Sequence, residues 1–190
     1  MFLEAEHDVT GNNQPIKGSD NRLNVSSRSD GRRYYNSRDL SQTYTLPFDD
    51  AACSAGDFNV ALFNNRTDGK SMVISVVNVN ALAVASFKIH EVTGTAAGGA
   101  VATVPYRENR AKTPNAATVT ASTVANSDSS PISGLTSAFL VRHVSVVASG
   151  SKDVDFGDTW RLGQEQGIAV EMESGANATR VFGSIEFFFE

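Results

Sequence analysis

From Thr43 onward the chain alternates short apolar runs with polar residues, and Gly, Asn, Asp and Ser break the runs at frequent intervals. Phe58-Asn59-Val60-Ala61-Leu62-Phe63 closes on Asn64-Asn65, and Met72 to Val79 follows the turn residues Thr67-Asp68-Gly69. Two such runs around an Asp-Gly pair predict strands joined as a hairpin. Phe87 to Val92 alternates with period two, which sets Phe87, Ile89 and Glu91 on one face and Lys88, His90 and Val92 on the other. Thr118 to Val124 is β-branched and half polar, as a strand with one wet face would be, and Phe139 to Val147 is longer and more apolar. Gly167 to Glu173 and Thr179 to Phe189 complete the series. No segment keeps an i, i+3, i+4, i+7 apolar stripe through three turns, so the pattern predicts an all-β body of about eight to ten strands.

Strands that alternate apolar and polar positions need a second sheet over their apolar face, which makes residues 43–190 a single β-sandwich or jelly-roll-like domain. The closing Phe187-Phe188-Phe189 cannot turn all three rings to one side of a strand, so Phe188 needs a cover of its own. No internal repeat suggests a propeller or solenoid. Residues 1–42 differ in texture. They are rich in Asn, Ser, Asp, Arg and Gly, with apolar residues standing singly, which predicts an extended, irregular N-terminal arm.

Charge changes the picture of that arm. It holds Glu4, Glu6, Asp8, Asp20, Asp30 and Asp39 against Lys17, Arg22, Arg28, Arg32, Arg33 and Arg38, so the net charge of −5 resides in the body. The charges are segregated, with acids at the start and arginines from Arg22 to Arg38. Arg28, Arg32, Arg33 and Arg38 suit a carboxylate-rich or phosphate-rich partner, and Tyr34 and Tyr35 among them suit an apolar anchor. These six residues are the candidate partner-binding site. An acidic chain gives no global attraction to nucleic acid or anionic lipid, and no apolar run approaches the about 20 residues of a membrane helix. Neither a nucleic acid nor a membrane is expected as partner. Cys53 is the sole cysteine, which excludes an intrachain disulfide, and the acidic start after Met1-Phe2-Leu3 leaves no signal peptide to expect.

Candidate chemistry is sparse. His7, His90 and His143 are scattered, without His-x-His, His-Glu-x-x-His or Cys-x-x-Cys spacing. Asp153-Val154-Asp155-Phe156-Gly157-Asp158 has the oxygens for Ca²⁺ but not the spacing of an EF-hand, and reads more simply as an acidic turn leading into Thr159-Trp160-Arg161-Leu162. Gly94 to Gly99 lacks the Gly-Lys-Ser/Thr ending of a phosphate loop and reads as a hairpin loop. Glu171 and Glu173 share one strand face instead of flanking a cleft, as paired glycosidase carboxylates do. No catalytic residue, metal or cofactor is expected, and the chain reads as a binding protein.

Ser37-Arg38-Asp39-Leu40-Ser41-Gln42-Thr43-Tyr44, Lys88-Ile89-His90-Glu91-Val92-Thr93-Gly94-Thr95-Ala96-Ala97-Gly98-Gly99, Gly157-Asp158-Thr159-Trp160-Arg161-Leu162-Gly163-Gln164 and Val181-Phe182-Gly183-Ser184-Ile185-Glu186-Phe187-Phe188 together resemble structural proteins of tailed bacteriophages. A small β-sandwich with an extended arm is similar, within that group, to the capsid decoration or cement proteins. The resemblance implies assembly in the host cytoplasm onto the virion surface, the major capsid protein as partner, and a homo-oligomer, with a trimer favoured. The alternative it leaves open is a tail, fibre or baseplate module that recognises a host glycan, with Trp160 as a sugar-stacking candidate.

Overall fold

The structure, a computed structural model, describes residues 43–97 and 132–190 throughout, and elsewhere only the backbone of short strand segments. The chain divides into two compact units, Met1–Gly31 and Arg32–Glu190. In the first, β1 (Glu4–Glu6) pairs antiparallel with β2 (Asn13–Pro15), and β3 (Gly18–Ser19) with β4 (Arg22–Leu23). Ladders of two or three residues thus occur where composition shows no periodic signal.

The second unit is built on eight long strands: β5 (Thr43–Cys53), β6 (Phe58–Asn64), β7 (Met72–Ala81), β8 (Ala85–Ala97), β12 (Ser133–Val146), β13 (Gly150–Leu162), β14 (Gly167–Gly175) and β15 (Thr179–Phe189). Three short ones, β9 (Ala100–Val101), β10 (Tyr106–Arg107) and β11 (Ala121–Ala125), lie between β8 and β12. The long strands form two four-stranded antiparallel sheets, β5-β15-β7-β13 and β12-β8-β14-β6. Pairing is nested, β5 with β15, β6 with β14, β7 with β13 and β8 with β12, and successive pairs alternate between sheets. One long hairpin wound into two layers is a jelly roll. The short strands extend one edge only, β10 beside β5, and β11 then β9 beside β6. Along the opposite edge β12 and β13 are outermost.

Period-two alternation puts Tyr44, Leu46, Val60, Leu62, Phe87, Ile89, Ile168, Val170, Ile185, Phe187 and Phe189 between the sheets. The Tyr44 and Phe187 rings stack at 5.5 Å, and Phe189 meets both edge-on. In β7 the inward set runs Met72, Ile74 and then Val77, Val79, Ala81, so the phase slips at Ser75-Val76. Both neighbours slip at that level, β15 between Glu186 and Phe187 and β13 between Asp155 and Trp160. Bulges there keep each strand's apolar set facing inward past the slip. Gly183 of β15 is required by close approach, because a Cβ there would run into the Asn78 carbonyl oxygen and stand 2.8 Å from Phe48 Cζ.

The strand readings at Phe58, Met72 and Thr179 hold, but β6 and β7 do not form a hairpin: they lie in different sheets. Residues 65–71 cross between layers, held by Asn64 Nδ2, which donates to the Lys70 and Leu162 carbonyls at 3.0 Å each. Gly94 to Ala97 belong to β8 and pair with β12 instead of forming a loop, and Gly98 and Gly99 lie outside the described residues. The acidic segment 153–158 sits inside β13, with Asp153 to Asp155 paired to β7 and 156–158 in the bulge that follows, where Gly157 and Asp158 have φ 58° and 56°. Phe188 is fully buried on the outer side of its sheet, as are Val73 and, nearly so, Thr43.

Candidate functional site

Arg28, Arg32, Arg33, Tyr34, Tyr35 and Arg38 lie outside the described residues. Within the sandwich, the features that offer chemistry to a partner are its two ends and its open edge.

The register places the connections 54–57, 82–84, 147–149 and 176–178 at one end, and 65–71 and 163–166 at the other with Glu190. The first end is almost free of charge, with Asp57 the one exception in those four connections. Leu82-Ala83-Val84 and Val147-Ala148 meet there, joined by the Ser149 N–H donating to the Leu82 carbonyl at 3.2 Å. Leu82, Val84 and Val147 are 52%, 67% and 71% exposed. Strand connections ordinarily carry turn-forming polar residues. Two abutting apolar ones form a patch that water solvates poorly.

The opposite end is polar. Arg66, itself buried, pairs with Asp68 through Nε at 2.8 Å and through a second, shorter bond from Nη2, and its guanidinium lies 4.8 Å from the Phe189 ring centre. That pairing holds the Asp68 carboxyl well below the usual carboxylate range. A cleft of about 610 Å³ opens there, lined by Phe63, Asn65, Thr93, Thr95, Gln164 and Glu165 among others. Gln166, which also lines it, is committed, donating to Glu91 at 3.1 Å and accepting from the Gly163 N–H at 2.6 Å.

Both strand histidines cross-link the outer face of the β12-β8-β14 sheet. His90 Nε2 meets Glu171 at 2.6 Å and its Nδ1 meets Ser137 Oγ at 2.8 Å; Glu173 takes His143 at 2.7 Å and Lys88 at 2.9 Å. Lys88 and His143 hold the Glu173 carboxyl below its ordinary range. Ser137, His90 and Glu171 are the residue types of a nucleophile, a base and an orienting acid. Ser137 does not line the cleft, and the bonds run from strand to strand, as sheet cross-links do. Asp153, Asp155 and Asp158 diverge: their oxygens accept from Asn78 Nδ2, the Gly157 N–H and Ser75 Oγ. Trp160 packs half-buried on the core, 4.9 Å from the Phe156 ring. Cys53 is buried with Asn59, whose Nδ2 donates to it at 2.8 Å and to Asp50 at 3.1 Å, and burial pushes the thiol up to about 12.

The open edge carries Phe139 and Leu140 of β12, 67% and 54% exposed. Sequence shows only that Phe139 to Val147 is a longer, more apolar run, and an apolar run does not state whether a strand lies inside or at the margin of its sheet. Leu82-Ala83-Val84 leaves one readable trace, an apolar connection without Gly, Asn or Asp. Fold and surfaces define a jelly-roll protein with an apolar end and an unfinished edge. Compared with models of protein families, with curated proteins and with solved structures, the chain matches none.

Proposed function

We propose that this chain is a non-enzymatic structural protein of a tailed-phage virion, a decoration protein that docks on the assembled capsid shell and stabilises the head. The phrase resemblance supplies the class, and the observation that carries it here is the nearly charge-free end with Leu82, Val84 and Val147 exposed. A rigid sandwich with one apolar end suits reversible docking on a preformed surface, and many copies on one shell add avidity to a modest single contact. The test is binding of the purified chain to capsids that lack it, together with reconstruction of the virion. Leu82→Asp, Val84→Asp and Val147→Asp together should abolish binding while leaving the fold intact. Finding the chain on the tail alone rejects the proposal.

The cleft favours a second reading, a tail module that takes a host glycan. The side chains of Asn65, Thr93, Thr95, Gln164 and Glu165 make no hydrogen bond among the described residues, and amide and carboxylate groups so placed fit the hydroxyls of a sugar. Glycan-array binding lost on Asn65→Ala and Gln164→Ala would promote this reading over the first.

A further inference from the structure

We infer that the ribbon made by the ends of β8 and β12 is a hinged strap, which lifts at Gly94 and Gly134 to bare Phe63 and widen the cleft beneath it. Its ligand is the sugar of the second reading, and that part rests on that reading; the motion does not.

The ribbon exists because one strand is shorter than its neighbours. β14 begins at Gly167, which pairs with Val92 on one side and Phe63 on the other. Beyond Val92, β8 therefore pairs with β12 alone, setting Thr93, Gly94 and Ala97 across from Thr136, Leu135 and Ser133. Two strands without further neighbours are held far less firmly than a sheet.

The ribbon leaves the plane of its sheet. Gly94 and Gly134 have φ 97° and 78°, and the register shifts between Ser133 and Leu135. A Cβ on Gly94 would lie 2.8 Å from the Gly134 carbonyl oxygen, and one on Gly134 would lie 2.5 Å from that of Thr95, so both positions need glycine. Left-handed backbone at one level of both strands bends them together. The bend goes toward the outer face. Run straight, β8 would carry Ala96 about 13 Å beyond Val92 and Phe63, out of their reach. Instead Ala96 and Leu135 pack on Ala61, Phe63, Val92 and Ala169, a buried apolar cluster outside the sandwich core.

The cleft is the crook of that bend. Alternate residues line the face of a straight strand, yet here four in succession, Thr93 to Ala96, form one wall, with Phe63, Asn65 and Gln164 to Gln166 around the rest. Phe63 is 5% exposed, so a sugar can stack on its ring only after the strap lifts. What holds the strap is slight. Its side-chain hydrogen bond, Ser133 Oγ to the Ala97 carbonyl at 3.1 Å, stays within the ribbon, and among the described residues no ion pair ties it to the sheet. Three residues on, the two pairs of β9 with β11 must yield to the same motion. Below the glycines β12 is fixed instead, Ser137 by His90 and His143 by Glu173. Local opening of this kind costs less than unfolding the sandwich.

The experiment places a thiol under the strap, by Ala61→Cys or Ala169→Cys in the full chain, and times its reaction with dithionitrobenzoate. Buried Cys53 serves as the internal control, reached only when the core opens. The introduced thiol should react at least about 100-fold faster than Cys53. Adding Leu135→Asp should raise that rate about tenfold, since the underside loses its half-buried leucine, and leave the rate at Cys53 unchanged. Introduced thiols no faster than Cys53, or both rates rising together, overturn the inference. Strap-dependent labelling in a chain that binds no sugar on the glycan array leaves the hinge standing and sinks the glycan reading.

Discussion

β15 and β12 are both long strands with neighbouring bulky apolar residues, Phe187-Phe188-Phe189 in one and Phe139-Leu140 in the other, and they meet opposite fates. Phe187, Phe188 and Phe189 are fully buried, whereas Phe139 and Leu140 are 67% and 54% exposed. The difference is place. β15 lies inside its sheet between β5 and β7, whereas β12 has a neighbour on one side only. Composition equips a strand to be buried, and its position in the sheet decides whether it is. What remains exposed after folding is then available to a partner.

Substitutions in the two strands test that contrast. Phe187→Ala should cost about 3–5 kcal/mol in urea unfolding, because it empties the stack on Tyr44 and Phe189. Gly183→Ala should cost about 1–3 kcal/mol, since its Cβ must displace the Asn78 backbone or the Phe48 ring. An intermediate effect lies under the end of β5. The Cys53 thiol is raised from 9.0 to about 12 in the folded protein. A raised group contributes stability that is whole below its unfolded value and lost as pH climbs toward the folded one. Wild type should therefore lose stability between pH 9 and 12 relative to Cys53→Ala, as unfolding midpoints would show.

At the acid extreme the sign reverses. Arg180 donates to Asp49 through Nε and Nη2, at 2.9 and 2.6 Å, and holds that carboxyl below its usual range. The contribution is present at neutral pH and lost as pH falls through the depressed value. Half-exposed on both sides and solvent-screened, the pair contributes little, so Asp49→Asn should flatten only a small part of the acid limb. The smallest effect belongs to β12. Phe139→Ala should change stability by no more than about 0.5 kcal/mol, and a loss of several would mean that the ring is covered within a single chain.

Period-two alternation made the layered fold legible, and β15 spans the residues its pattern indicates, Thr179 to Phe189. β13 was not legible. Its edge position and long bulge dilute the apolar set to Val154, Phe156, Trp160 and Leu162 among aspartates. Thr67-Asp68-Gly69 marks a change of chain direction but carries no information about which sheet the next strand joins, so a crossing between layers reads as a hairpin. Arg28 to Arg38 remain a site in sequence alone. The exposed apolar residues at Leu82, Val84, Phe139 and Leu140 are a property of pairing, which local pattern does not encode.

The nested pairing has a mechanical consequence. The chain enters the jelly roll at Thr43, directly across from Phe188 near its exit, and β5 runs eleven residues to Cys53, across from Thr179 at the apolar end. Tension applied at Thr43 and resisted at the apolar end therefore runs lengthwise along β5 and its ladder with β15. Its hydrogen bonds lie across the pull and share the load together, whereas a strand peeled from its neighbour breaks them one at a time. On the capsid shell proposed above, a pull between Thr43 and the apolar end would meet this shear geometry.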